Sequence, residues 1–179
     1  MTRYVALLRG INVGGKNLIK MPALKAAFED DGFGNVSTYI QSGNVLFDAA
    51  DADSAKLTRR IEKMLAEAFD YIPTVVVRSR RQMGATVDRA PTGFGSQPAR
   101  YLYDAVFLKE PLTAKAAMKQ LSMNPGVDEA WAGAGVLYIS RLRAKATSSR
   151  LNRIASSPIY AGMTIRNRNT TTKLLASME

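Results

Sequence analysis

The sequence predicts an α+β protein made of two ferredoxin-like β-α-β-β-α-β units that arose by internal duplication. Each unit is an antiparallel sheet with its helices on one face. Three observations predict this. Short runs rich in β-branched residues alternate with amphipathic stretches, in the same order twice. The two halves end alike, Val77-Arg78-Ser79-Arg80 against Ile165-Arg166-Asn167-Arg168. A Pro/Gly/Ser-rich segment, Ala90 to Ala99, lies between them. The units are therefore expected at 1–89 and 100–179, with 90–99 as linker. A single continuous α+β domain is the alternative.

In the first half, residues 3–9 read as an apolar strand. A Gly-rich loop follows, and Pro22 opens a helix at a position where its missing N–H costs nothing. Leu24, Ala27 and Phe28 mark that helix's buried face, and Gly32 ends it. Val36 to Ile40 and Val45 to Asp48 are strands about a turn at Gln41-Ser42-Gly43-Asn44. Residues 53–69 are the clearest helix, with Leu57, Ile61, Met64, Leu65 and Ala68 on one side. Thr74 to Val77 is a fourth strand, and a helix over about 79–88 is appended.

In the second half, Tyr103 to Leu108 is a strand, and Thr113 caps a helix reaching about Leu121. Asp128 to Trp131 and Val136 to Ser140 form a hairpin about Gly133-Ala134-Gly135. A short helix is predicted over Ser148 to Ala155, a strand over Met163 to Arg166, and a last helix over Thr170 to Met178, capped by Asn169 or Thr170.

Composition narrows the function classes. The 179 residues are 46% apolar, ordinary for a globular protein. No apolar run reaches the ~18–20 residues that span a bilayer, and the first strand is too short for a secretory signal. There is no Cys, which removes disulfides and thiolate chemistry and points to the cytoplasm. There is no His either, so the usual neutral-pH acid/base and commonest metal ligand are missing. No cofactor or metal is expected, and nothing in the chain sets an oligomeric state. The net charge is +10, with +3 in residues 1–90 and +7 in 91–179. A field of that sign favours phosphates and acidic partners.

Two polar loops carry the most chemistry, Arg9 to Asn17 and Tyr39 to Val45. In a split β-α-β unit the loop after strand one and the turn between strands two and three share one sheet end. Gly10 to Lys16 matches the start of a nucleotide-binding P-loop. The match fails at Asn17, where a Mg²⁺-ligating hydroxyl should stand, and again because no helix begins at Lys16. A looser anion nest, with glycine backbone and Lys16, fits better.

These two loops, together with Arg166-Asn167, Asn169-Thr170 and Thr172-Lys173-Leu174, resemble the domain of unknown function 1697 family. The likeness covers essentially the whole chain. It implies a small bacterial protein with an α+β fold and brings no established activity. The family's C-terminal motif usually carries an aromatic where this chain has Arg168.

The leading expectation is a cleft for a small anionic, phosphate-bearing ligand, lined by Arg9, Asn12, Gly14, Gly15, Lys16, Asn17, Gln41, Ser42 and Asn44. Arg166, Asn169 and Thr170 are candidate contributors. The alternative is non-specific nucleic-acid binding through Arg141, Arg143, Lys145, Arg150 and Arg153, a run without acids. Stacking aromatics of the RNA-binding kind are scarce on the first unit's central strands, which offer only Tyr4 and Phe47. A third possibility is a phosphoryl- or acyl-directed enzyme without metal, His or Cys, for which Ser42 activated by Lys16 is the conceivable nucleophile.

Overall fold

The computed structural model describes residues 1–40, 43–50, 53–70 and 73–179. The chain divides into two compact units, Met1–Met83 with Leu174–Glu179, and Gly84–Lys173. Both are α+β. The first contains β1 (Thr2–Arg9), α1 (Met21–Asp30), β2 (Gly34–Tyr39), β3 (Asn44–Ala49), α2 (Ser54–Phe69) and β4 (Thr74–Ser79), with α3 (Arg80–Asp88) following. The second contains β5 (Tyr101–Leu108), α4 (Ala114–Gln120), β6 (Asp128–Gly133), β7 (Val136–Leu142) and β8 (Met163–Asn167), with α5 (Arg168–Ala176) following.

Each unit has one four-stranded antiparallel sheet. The orders are β2-β3-β1-β4 and β6-β7-β5-β8, position for position the same. Tyr4 pairs with Phe47 and Ser79, and Asp104 pairs with Ile139 and Asn167. The similarity reaches side chains. Arg78 turns back onto the Val77 carbonyl and Arg166 onto the Ile165 carbonyl, both at 2.9 Å. Ser79 accepts from the Gln82 N–H, and Asn167 from the Thr170 N–H at 2.8 Å, so each strand runs into its helix through a side-chain cap. The cap of α5 is thus Asn167; Asn169 and Thr170 lie inside the helix. The two similar sheet units fit a duplication.

In the first unit α1 and α2 cover the face of β1 that carries Tyr4, Ala6 and Leu8. Asp53 caps α2 through the Ala55 N–H at 3.0 Å, and Leu57, Ile61, Met64 and Leu65 are its buried positions. Phe28, Phe33, Phe47 and Tyr4 form one aromatic cluster, with centroids 4.7 to 5.7 Å apart. Tyr4 and Phe47 are therefore core residues and offer no stacking surface. Arg60, one of the basic residues of α2, lies 4.4 Å over the Phe33 ring and pairs with Asp31.

The second unit departs from the first in its last crossover. Where a short α-helix is expected over 148–155, the chain makes three 3₁₀ segments, Arg143–Ser148, Leu151–Ser156 and Pro158–Gly162. Only Leu151 and Ile154 among their side chains reach full burial on the sheet face of Val106, Leu108, Leu137 and Ile139. Two apolar anchors in one turn are too few to hold an α-helix of that length, and Pro158 stops its extension. Asp128 ties the segment down instead. Its carboxylate accepts from the Asn124 and Arg150 N–H groups, both at 2.8 Å.

Two expectations follow. Phe47→Ala removes the centre of the aromatic cluster and should lower unfolding free energy by ~3–5 kcal/mol, read from urea denaturation. For Asp128, burial alone would raise the carboxyl. The Ser149 side chain and the Asn124, Arg150 and Leu151 N–H groups outweigh burial and hold it below the usual carboxylate range. Its stabilising contribution is then complete above about pH 4, near the unfolded value, and is lost as pH falls through the lower folded value. Asp128→Asn should be less stable at pH 7, and the gap to the parent should close on acidification.

Candidate functional site

The N-terminal loop is held by its own amides. Asn12, at a φ of 53°, donates its side-chain amide to the Ile19 carbonyl at 3.0 Å and accepts from the Ile19 N–H at 2.8 Å. Asn17 donates to the Gly10 carbonyl at 2.9 Å, and the Asn12 N–H reaches the Asn17 carbonyl at 3.1 Å. Residues Val13 to Lys16 close a tight turn. The helix begins at Met21, five residues beyond the place a P-loop requires. Gly14 and Gly15 both have positive φ, and a Cβ at either would meet open space, so conformation rather than crowding calls for glycine there.

The two loops meet at their roots. The Leu8 N–H donates to the Gly43 carbonyl at 2.8 Å, and a Cβ on Gly43 would strike Leu8 and Ile11. Asn44 is buried and closes the turn onto the Tyr39 carbonyl at 2.9 Å. Arg9 reaches the Thr74 hydroxyl at 2.9 Å. Lys16 is exposed. Gln41 and Ser42 lie outside the described residues, and with them the Lys16–Ser42 pairing.

A second polar site lies wholly in the second unit, and only part of it is legible in the sequence. A cavity of about 190 Å³ is bordered by Tyr101 to Asp104, Arg141 and Arg143, Asn167 to Asn169, Gly95 and Pro98. Its position follows from register. β8 begins its pairing with β5 at Asp104 opposite Asn167, so Tyr101 to Tyr103 extend past the end of β8 with only β7 beside them. The chain leaves β8 there and enters α5, which brings Arg168 and Asn169 to the gap.

The charged groups around it are arranged by specific contacts. Arg141 donates to the Asp104 carboxylate at 2.8 Å and to the Asn152 side chain at 2.9 Å. Its Nε–H is buried and has no acceptor among the described residues, a donor whose desolvation is uncompensated by ~1–3 kcal/mol. Arg143 donates to the Pro98 carbonyl at 3.0 Å. Arg168 lies against Gly95, whose φ is +84°, and a Cβ there would fall inside the Arg168 side chain. The segment around Gly95, part of the second unit, is therefore a wall of the site. Phe94 packs edge-on against Tyr103, Trp131 and Tyr138. The Tyr138 hydroxyl donates to the Thr86 carbonyl at 2.6 Å, and burial pushes its phenol up despite nearby Arg89.

Of the residues expected to bind, this cavity collects Asn169, Arg141 and Arg143. Arg166 is not among them. It is buried beside Thr164, to whose hydroxyl it donates at 2.8 Å, and burial lowers its guanidinium to about 10, still charged at neutral pH. Thr170 is buried within α5. Lys145, Arg150 and Arg153 are exposed along the 3₁₀ segments. The cavity is also bordered by Arg168, which the sequence places beside the start of the last helix, and by Tyr101, Tyr103, Asp104 and Asn167, which lay outside the expected set. Among the described residues no group of acidic side chains is placed to hold a metal ion, and no helix is long and apolar enough to cross a membrane.

Known proteins add the following. The chain is similar to a solved structure, a conserved bacterial protein from Streptococcus pneumoniae, at 27% identity with 99% of each chain covered and a TM-score of 0.86. No curated protein matches it. Residues 1–138 match a family described as protein of unknown function, DUF1697. With most of its length and both polar N-terminal loops inside that match, the chain belongs to the DUF1697 family.

Proposed function

We propose that the protein binds a small anionic, phosphate-bearing ligand, and that the cavity of the second unit receives it. Convergence of charge carries this reading. Three guanidinium groups, those of Arg141, Arg143 and Arg168, border one cavity. Asp104 is the one acid among the described residues that line it. It pairs with Arg141, so the other two cations are uncompensated there. A phosphate monoester carries close to two negative charges at neutral pH and suits such a pair. Arginine's planar fork also binds phosphate oxygens two at a time. The same reading takes the two units as ferredoxin-like repeats of one duplicated ancestor. The shared strand order and the matched Arg78 and Arg166 conformations support it.

A second reading puts an anion between the Gly10–Asn17 loop and the Gln41–Asn44 turn. It is favoured by the exposure of Lys16 and by glycine backbone that faces open space. Nucleic acid remains the alternative partner, through the exposed Lys145, Arg150 and Arg153.

Calorimetric titration with inorganic phosphate separates these readings. Arg143→Ala and Arg168→Ala should each weaken binding by ~1.5–3 kcal/mol, tenfold or more, as expected for a charge-assisted hydrogen bond. Undiminished binding in the double variant defeats the cavity reading. Lys16→Ala should change stability by less than ~0.5 kcal/mol, as exposed substitutions do, and should leave phosphate affinity intact if the cavity is the site. Abolished binding in that variant would favour the N-terminal loop. Binding to duplex oligonucleotides with a log–log salt slope near −0.9 per phosphate neutralised would favour nucleic acid.

A further inference from the structure

The cavity over Asp104 and Arg141 does not end the open space on that sheet face. A second cavity of about 210 Å³ is lined by the same two residues and by Ile139, Leu151, Ile154, Tyr160 and Ile165, with Asn152 and Ala155 at its edge. It exists because 3₁₀ segments stand where the first unit has α2. That helix carries four apolar side chains, Leu57, Ile61, Met64 and Leu65, down onto its sheet. The 3₁₀ segments bring Leu151 and Ile154, and Ile165 on β8 is left only half-buried.

The two cavities are consecutive along the strands. Arg141 follows Ile139 on β7 by two positions, and Asn167 follows Ile165 on β8 by two. Residues so spaced share a face and lie about 7 Å apart. The first member of each pair lines the apolar cavity, and the second lines the polar one. Arg141 lines both cavities, as does Asp104, its ion-pair partner. The apolar cavity exceeds the ~150 Å³ that accommodates a benzene ring in an engineered protein cavity.

We propose that the two cavities are one amphipathic site. Its ligand is a phosphate monoester with a short apolar tail: the phosphate lies with Arg143, Arg168 and Asn169, and the tail lies over Ile165 beside Ile154, Ala155 and Tyr160. The bridging ester oxygen falls between the two cavities, beside Arg141, which lines both. This inference rests on the anion reading of the first cavity.

The test is a series of affinities for inorganic phosphate and its methyl, butyl and hexyl monoesters, measured on the full chain. Burying a methylene should tighten binding about fourfold, so affinity should climb from methyl to butyl. Ala155→Phe adds bulk at the exposed edge of the apolar cavity and should flatten the series while leaving inorganic phosphate affinity unchanged. Ile154→Trp fills the same space from the core side and should do likewise if it folds. Phosphate binding with a flat series in the parent overturns the amphipathic site and leaves the anion site standing. A rising series that Ala155→Phe does not alter overturns it too, because the tail then lies elsewhere. If neither phosphate nor any ester binds, the anion reading itself falls and takes this one with it.

Discussion

Tyr4 to Leu8 on β1 and Ala105 to Leu108 on β5 are buried without a break, though successive side chains on a strand point to opposite faces. A strand that is apolar on both sides cannot sit at an edge, where one row of backbone groups and part of each face meet water. Both sheets accordingly hold this strand inside, β1 between β3 and β4 and β5 between β7 and β8. Polar chemistry is thereby driven to the strand ends. At the C-terminal end of β1 it collects in Arg9 and the Gly-rich loop. At the N-terminal end of β5 it collects in Tyr101, Tyr103 and Asp104, with the arginines that approach them.

The units share a strand order but cover it differently, and the difference lies in one crossover. In the first, α2 has a capping aspartate, sixteen residues and a continuous apolar stripe, so it seals its sheet face. In the second, the corresponding chain is basic, broken into 3₁₀ turns and short of apolar anchors. It is held by polar contacts instead: the Asp128 carboxylate gathers the Asn124 and Arg150 N–H groups, and the Asn124 side chain donates to the Ser148 carbonyl. Polar anchoring positions a chain with fewer apolar side chains, and Ile165 at its margin stays half-buried. Cavities follow from that substitution of hydrogen bonds for packing.

The Gly/Asn loops illustrate how one sequence pattern supports two structures. Glycine at positive φ and asparagine nearby make an anion nest, and they equally make a loop that bonds to itself. Which of these forms depends on where each amide points. Here the Asn12 amide makes a two-way pair with Ile19, and Asn17 returns to Gly10. Asn44 does the same for its turn from a buried position. The motif was visible at first reading, but the direction of three side-chain amides was not, because it depends on neighbours seven and five positions away folding back.

Local pattern carried most of the architecture. The apolar period of Leu57, Ile61, Met64 and Leu65, the Thr113 cap, Pro22 at a helix start and the alternation of short strands with helices are all properties of adjacent residues. The sequence alone was therefore enough for the element order, two antiparallel sheets and a strongly basic second half. It failed at 148–155, where hydrophobic spacing was too sparse to choose between helical forms, and at the α5 cap, displaced from Asn169 or Thr170 to Asn167. The cavity in the second unit belongs to tertiary structure. Gly95, Asp104, Arg141 and Arg168 are far apart in the chain, and they meet through strand register and the length by which β5 outruns β8. Register is set by pairing between distant strands, so no window of neighbouring residues encodes which side chains will face one another across it.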